Sequence, residues 1–97
     1  MHEYELVYII RPDLEDDGIN AVNDKVGQWV ANGGGTIVKT ELWGRRRLAY
    51  PIRRHTEGTY VLQRLQLPPQ SVAELERNLR ISEEVIRHLV VRTDERD

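Results

Sequence analysis

Three consecutive arginines, Arg45, Arg46 and Arg47, lie in the segment WGRRRLAYPI, after a Trp-Gly pair and before a return to apolar, strand-forming residues. A planar guanidinium can bind two phosphate oxygens at once and can stack on an exposed base, so this segment suits a polyanion. Arg53 and Arg54 continue the basic character a few residues later. The alternative is a solvated edge strand, because charged side chains at an edge also discourage pairing between sheets.

Charge is unevenly distributed along the 97 residues, although the formal net charge is only −2. Residues 1–38 carry seven acids and two bases (net −5), residues 39–64 carry seven bases and two acids (net +5), and residues 65–97 carry seven acids and five bases (net −2). Twelve of the fourteen bases are arginine, which favours structured contacts over diffuse attraction. Because local potential decides where a polyanion binds, the acidic total does not exclude nucleic acid as a partner.

Two aromatic residues, Trp43 and Tyr50, flank the three arginines. They could stack on an unpaired base, or they could be half-buried strand residues that cover the core. The later strand-like segment GTYVLQRL has Tyr60 as its only aromatic residue, so it lacks the aromatic signature of the RNA-recognition motif. We therefore do not expect bases to stack on the face of a sheet in this protein.

The sequence contains few candidate residues for catalysis or metal binding. The chain contains no cysteine, which excludes disulfides, thiolate ligands and cysteine nucleophiles. The three histidines fall on a terminus, a loop and a strand, without the helical i, i+4 spacing of paired metal ligands. Neighbouring acids such as Asp16 and Asp17 stand where elements begin, and capping and solvation explain them. We predict no enzyme activity, no metal, no cofactor and no small-molecule substrate.

Hydrophobic periodicity predicts elements in the order strand, helix, strand, strand, helix, strand. The predicted strands cover residues 4–10, 36–52, 59–67 and 85–92, and the predicted helices cover residues 16–31 and about three turns after Ser71. A glycine inside a strand pattern often marks a bulge, so Gly44 predicts an irregularity just before the arginines. Residues 53–58 are polar and end in glycine, which predicts a hairpin loop.

Helix ends can also be predicted. Ser71 and Glu74 have the spacing of a reciprocal cap at the start of the second helix. The glycine run 33–35 follows the first helix, so we expect it to end that helix rather than to cradle a phosphate, since phosphate cradles precede helices.

This order of elements predicts an α+β, ferredoxin-like split βαβ fold, with a four-stranded antiparallel sheet and two helices on one face. The first and third strands would be central and the arginine-bearing second strand would be an edge. The opposite, open face is left for solvent or a partner. We expect a single domain over residues 1–97, with residues 93–97 forming a frayed tail. The N-terminus lacks the pattern of a secretory signal and no apolar run could span a bilayer, so we expect a cytoplasmic protein without membrane contact.

The segment WGRRRLAYPI, together with YELVYIIRPDL and LRISEEVIRHLVVR, resembles the sixth protein of the bacterial small ribosomal subunit nearly from end to end. The resemblance implies a structural ribosomal protein that binds the central domain of 16S ribosomal RNA jointly with the eighteenth small-subunit protein, its heterodimer partner. Carried over by position, and joined to the basic residues above, the predicted RNA- or partner-binding residues are Arg45, Arg46, Arg47, Tyr50, Arg53, Arg54, Arg80, Arg87 and Arg92. The tail after Arg92 is shorter than in many relatives, which puts tail-mediated partner contacts in doubt.

Two other functions stay open at this point. The same layout of elements serves small-molecule-binding regulatory modules that dimerise through their sheets. It also occurs in small enzymes, and a phosphate-ester hydrolase could use the arginines to hold its substrate. An evident general base beside the arginines is missing, which makes the enzyme the weakest of the three hypotheses.

Overall fold

Four strands form one antiparallel sheet, described for residues 1–93 by a computed structural model. In chain order the elements are β1 (His2–Ile10), α1 (Asp16–Asn32), β2 (Thr36–Ile52), β3 (His55–Leu67), α2 (Val72–Ile81) and β4 (Val85–Arg92), with a 3₁₀ turn at Pro69–Ser71 before α2. The spatial order is β2-β3-β1-β4, so β1 and β3 are central and β2 is an edge. The predicted ferredoxin-like fold is confirmed.

The main core lies between the sheet and the two helices. Residues of β1 and β3 at every second position face the helices, because successive side chains of a strand point to opposite faces. The buried residues of this core are Tyr4, Leu6, Tyr8, Ile10, Val61, Leu65 and Leu67 from the strands, Val22, Val26 and Val30 from α1, Leu75 and Leu79 from α2, and Val85 from β4. Each fully buried aliphatic side chain contributes about 1.5–3 kcal/mol, so this face supplies most of the stability.

A short polar chain crosses this core. The Tyr8 hydroxyl donates a hydrogen bond to Asn23 Oδ1 at 2.5 Å and accepts one from Gln63 Nε2 at 3.2 Å. Burial raises the pKa of the Tyr8 hydroxyl far above its ordinary value, so the hydroxyl stays protonated and keeps its role as donor. Gln63 is 1% exposed, and its Oε1 has no hydrogen-bond partner within residues 1–93.

The hairpin between β2 and β3 corrects one prediction. The loop predicted over residues 53–58 is wrong, since β2 ends at Ile52 and β3 begins at His55. Arg53 and Arg54 alone make the turn, with φ of 50° and 70°. Two residues with positive φ are typical of the type I′ turn, whose right-handed twist matches that of the strands it joins.

Gly58, which suggested the longer loop, is buried inside β3. A Cβ atom at this position would lie 2.3 Å from Ile9 Cγ2, closer than atoms can approach. The glycine therefore allows the hairpin to press against β1, on the face of the sheet away from the helices.

A second prediction is corrected by the structure at the start of α2. The predicted reciprocal cap of Ser71 and Glu74 is wrong, because the Ser71 hydroxyl makes no cap and instead donates to the Gly33 carbonyl at 2.8 Å. This bond ties the start of α2 to the end of α1. The predicted stop at the glycine run is confirmed, since α1 ends at Asn32 and Gly34 has a φ of 85°.

The predicted frayed tail, residues 93–97, lies outside the described residues except for its first member. Thr93 donates its backbone N–H to the Glu3 carbonyl at 2.9 Å, so β1 still holds the chain at that point.

Candidate nucleic-acid interface

The three consecutive arginines follow a β-bulge in edge strand β2. The pairing with β3 shifts between Leu42 and Gly44, which confirms the predicted irregularity. Gly44 has a φ of 83°, a conformation that residues with a Cβ atom disfavour. Beyond the bulge, alternation along the strand sends Arg45 and Arg46 to opposite faces.

Arg45 is held by groups of this chain. Its guanidinium donates a hydrogen bond to the Pro12 carbonyl, in the segment after β1, and its Nε lies 3.9 Å from Glu57 Oε1. Exposed ion pairs contribute only about 0–1 kcal/mol, so the contact with Glu57 is weak. An RNA phosphate would nevertheless have to compete with both contacts, and Arg45 is less available than its two neighbours.

Arg46 covers an aromatic stack on the open face. Its guanidinium carbon lies 5.2 Å from the centroid of the Trp43 ring, which in turn stacks on Tyr60 with centroids 6.4 Å apart and planes 12° apart. The indole Nε1 donates to Glu41 Oε1 at 3.0 Å. This hydrogen bond from Trp43, with a smaller contribution from Lys39, lowers the pKa of Glu41. The ionised carboxylate therefore helps to fix the indole under the arginine.

Three further arginines, Arg47, Arg53 and Arg54, are exposed and unengaged. Within residues 1–93 their side chains have neither a hydrogen bond nor an ion pair. Arg53 and Arg54 stand at the tip of the β2–β3 hairpin, at the two positive-φ positions of its turn. Their charge is thus free for an external anion, whereas Arg64 of β3 is paired with Glu5 at 3.1 Å.

The same hairpin bends across the open face and forms a second, smaller core there. Ile9 of β1, Leu48 of β2 and Ile86 of β4 are buried together, although β2 and β4 are opposite edges of the sheet. Ile52 and Tyr60 pack against this cluster. The tip of the hairpin, with Arg53 and Arg54, therefore lies on the side of the sheet that has no helices.

Beside this cluster lies an apolar depression of about 330 Å³, here called the sheet groove. Its lining includes Val7, Ile9, Leu48, Tyr50, Ile52, Tyr60, Arg87 and Leu89. The Arg87 guanidinium donates to the Tyr50 hydroxyl, and its carbon lies 5.9 Å from the centroid of the tyrosine ring. Leu89 is 59% exposed and Tyr50 is 57% exposed, so apolar surface is left uncovered on this face. Contiguous exposed apolar surface of this kind is typical of protein interfaces.

The last predicted site residues lie at two different places. Arg80, at the end of α2, shares a small cavity with Arg53 and Arg87. Arg92 stands at the far end of β4, where its Nη2 donates to His2 Nδ1 at 2.8 Å. Arg92 is five positions after Arg87 along the strand, about 16 Å at the usual rise. The predicted set is therefore gathered around the hairpin and the start of β4, with Arg92 apart.

Sequence reasoning did not identify the sheet groove. A signal was present in the segment VIRHLVVR, whose apolar residues occupy both faces of a strand that proves to be an edge. Leu89 and Val91 point to the open face there, opposite Val7 and Glu5 of β1. An edge strand with apolar side chains on its uncovered face indicates a partner.

Two other kinds of feature are absent from the described part of the chain. Residues 1–93 contain no group of three or more histidine, aspartate or glutamate side chains placed to hold a metal ion. Over the same residues, no helix has the length and apolar character needed to cross a bilayer.

Known proteins resemble this chain over almost all of its length. Residues 3–92 match the family described as ribosomal protein S6. The chain is 43% identical over 95 residues to small ribosomal subunit protein bS6 of Moorella thermoacetica, covering 98% of this chain and 97% of the relative. It is 46% identical over 94 residues to bS6 of Acidobacterium capsulatum, covering 97% and 67%.

The crystal structure of 30S ribosomal protein S6 from Thermotoga maritima superposes with a TM-score of 0.90 at 28% identity, covering 97% of this chain and 89% of that one. Sequence and architecture therefore agree over the same residues. The chain belongs to the ribosomal protein S6 family of the bacterial small subunit.

Proposed function

We propose that this protein is a non-catalytic structural constituent of the small ribosomal subunit in the cytoplasm, and that it binds the central domain of 16S ribosomal RNA together with the eighteenth small-subunit protein. One observation carries the proposal. The β2–β3 hairpin combines unengaged arginines with the wall of an uncovered apolar groove, so a polyanion and a protein can be bound side by side. Family membership supports the ribosomal setting, because this is a family of ribosomal structural proteins.

The RNA half of the proposal rests on the free guanidiniums. Arg47, Arg53 and Arg54 are exposed, and the exposed Arg46 guanidinium lies over the uncharged Trp43 ring. Arginine binds phosphate oxygens in pairs, so these residues suit the sugar-phosphate backbone. The Trp43 ring is already stacked on Tyr60 and covered by Arg46, which favours backbone contacts over base stacking.

The protein half rests on the sheet groove and on charge. A net charge of −2 gives the whole molecule little attraction for RNA, so a basic partner is needed to complete the footprint. The exposed side chains of Tyr50, Leu89 and Val91 offer that partner an apolar surface next to the arginines. Binding of partner and RNA would then be cooperative, because each extends the surface available to the other.

The test is a salt titration of binding to a central-domain RNA fragment, with and without the eighteenth small-subunit protein. We expect appreciable binding only when both proteins are present. The double substitution Arg46→Gln with Arg47→Gln should weaken binding and reduce the slope of log K against log salt by roughly 0.7–0.9 for each phosphate that is no longer neutralised. Arg77→Gln, an exposed arginine of α2 away from the hairpin, is the matched control. Tight, salt-insensitive binding by this chain alone would contradict the proposal.

A second candidate, a small-molecule-binding module that dimerises through its sheet, is favoured by the size of the sheet groove. Its volume of about 330 Å³ falls at the lower end of the range for ligand pockets, roughly 300–1,000 Å³. A thermal-shift screen of metabolites separates the two candidates. A large increase in Tm with one metabolite, abolished in Leu89→Arg, would support the module. If no metabolite changes Tm, the ribosomal function is favoured.

A further inference from the structure

A small cavity of about 220 Å³ opens where the hairpin turn, the end of α2 and the start of β4 meet. Basic residues from these three segments line it together with three apolar residues. The lining residues are Arg53, Arg80, Arg87, His88, Leu79, Val85 and Ile86. Leu79, Val85 and Ile86 are almost fully buried, so the inner side of the cavity is bounded by the protein core.

Within residues 1–93, no carboxylate lines this cavity to balance the charge of its arginines. Within residues 1–93, Arg53 and Arg80 have no side-chain hydrogen bond or ion pair, and Arg87 is hydrogen-bonded to the uncharged Tyr50 hydroxyl. Glu84, just before β4, is engaged by the Ser82 hydroxyl at 2.8 Å and by Lys25 Nζ at 3.6 Å. Positive charges carried by the residues around one cavity repel one another, and a bound anion would reduce that repulsion.

The turn that supplies Arg53 is itself unusual. Both of its residues are arginines in left-handed conformations, with φ of 50° and 70°. Type I′ turns strongly prefer asparagine and glycine at these positions, because a Cβ atom is crowded there. Strained backbone of this kind clusters at binding sites, where a side chain is needed at a position that the conformation disfavours.

Size and chemistry together identify the ligand class. The cavity is smaller than the roughly 300–1,000 Å³ of pockets that hold drug-sized ligands, so it suits a compact group. Arginines from three segments and a histidine line the cavity, and their N–H groups could donate to the several oxygens of a tetrahedral oxyanion. We propose that this cavity binds one phosphate group. Under the function proposed above, on which the source of the phosphate rests, that group is a single phosphodiester of the ribosomal RNA.

A purely structural role is the competing explanation for Arg80. A cation in the last turn of a helix stabilises it by complementing the negative end of the helix dipole, and Arg80 is the basic residue in the last turn of α2. That role predicts a loss of stability when Arg80 is replaced, but no binding of an anion. The two explanations therefore differ in a measurable quantity.

The first experiment titrates the ¹⁵N-labelled protein with inorganic phosphate at constant ionic strength, using sodium chloride as the comparison. We expect saturable shifts of the backbone amides of Arg53, Arg80, Arg87 and His88 with phosphate but not with chloride. The double variant Arg53→Gln with Arg80→Gln should bind phosphate at least about tenfold more weakly. Arg77→Gln, on the same helix but outside the cavity, should bind normally. Phosphate shifts that do not saturate, or that survive in the double variant, would overturn the site.

The second experiment measures binding of the same variants to central-domain RNA with the eighteenth small-subunit protein present. Because one phosphate is no longer neutralised, the salt slope should fall by roughly 0.7–0.9 in the double variant and stay unchanged in Arg77→Gln. If the slope does not change although free phosphate binds, the cavity takes free phosphate and its assignment to RNA is wrong. If the wild-type pair fails to bind the RNA at all, the proposed function fails, while the first experiment still decides the anion site.

Discussion

The two faces of the sheet differ in what covers them and in what they contribute. On the helix-covered face, Leu6, Tyr8, Ile10 and Val61 are fully buried. On the open face, exposed apolar residues such as Leu89 lie beside the sheet groove, and the unengaged arginines stand on the hairpin that crosses it. Stability is thus supplied mainly by one face, and the proposed function assigns recognition to the other.

Strand β1 shows how one sequence serves both faces. Leu6 and Tyr8 point to the helices, while Val7 and Ile9, which alternate with them, line the sheet groove. Because side chains alternate along a strand, neighbouring positions can be constrained by different functions. A substitution at one residue of β1 should therefore have consequences of a different kind from one at the next.

The largest expected effect is a difference in the free energy of unfolding between substitutions on the two faces. Leu6→Ala removes a fully buried side chain and should lower the free energy of unfolding by about 2–5 kcal/mol, measured by denaturant titration. Leu89→Ala, at a position 59% exposed, should change it by no more than about 0.5 kcal/mol.

Partner binding should respond in the opposite way. Leu89→Ala should weaken binding of the eighteenth small-subunit protein, measured by calorimetry, whereas the folded fraction of Leu6→Ala should bind normally. Equal destabilisation by both substitutions, or normal partner binding by Leu89→Ala, would contradict the proposal that one face stabilises the fold and the other binds the partner.

The helix-covered face was far easier to predict from sequence than the open one. Spacings of three and four residues located both helices, and alternation located all four strands, because burial on that face imposes a period on the chain. Gly44 also indicated its bulge correctly. The order of elements then fixed which strands are central, since crossovers of this type are right-handed.

The hairpin over the open face depends on contacts that a local pattern does not contain. Gly58 resembled a loop residue, but it is required by the close approach of β3 to Ile9, nearly fifty positions earlier in the chain. The turn at Arg53 and Arg54 lacks the asparagine or glycine that signals a type I′ turn. The sheet groove forms where the hairpin crosses the sheet, so its shape could not be predicted from the sequence, although the apolar edge strand β4 indicated an uncovered face.

The prediction of intermediate size concerns Gln63, a buried polar residue on the helix-covered face. Gln63→Met should raise the free energy of unfolding by about 1 kcal/mol, because removing a buried carbonyl oxygen that lacks a partner stabilises the protein by more than the loss of one hydrogen bond to Tyr8 destabilises it. Thermal and denaturant unfolding measure the change. RNA and partner binding should be unaffected, since Gln63 lies on the face away from the sheet groove. Destabilisation by this substitution would mean that the polar chain through Tyr8 contributes to stability instead of reducing it.

The smallest expected effect tests whether Arg54 makes the hairpin turn less stable than a glycine would at the same position. Arg54 has a φ of 70°, where a residue with a Cβ atom is strained, and glycine is not. Arg54→Gly should therefore raise the free energy of unfolding by roughly 0.5–1 kcal/mol, the relief of strain less the greater entropy of glycine in the unfolded chain.

Arg54→Ala provides the matched control, because it removes the charge but keeps the Cβ atom. Both variants should weaken RNA binding equally, while only the glycine variant should gain stability. If alanine stabilises as much as glycine, the gain comes from relieved repulsion between Arg53 and Arg54, and the backbone of the turn is not strained. If glycine alone stabilises, a left-handed arginine is retained at the tip for its charge, which is what a surface built for recognition requires.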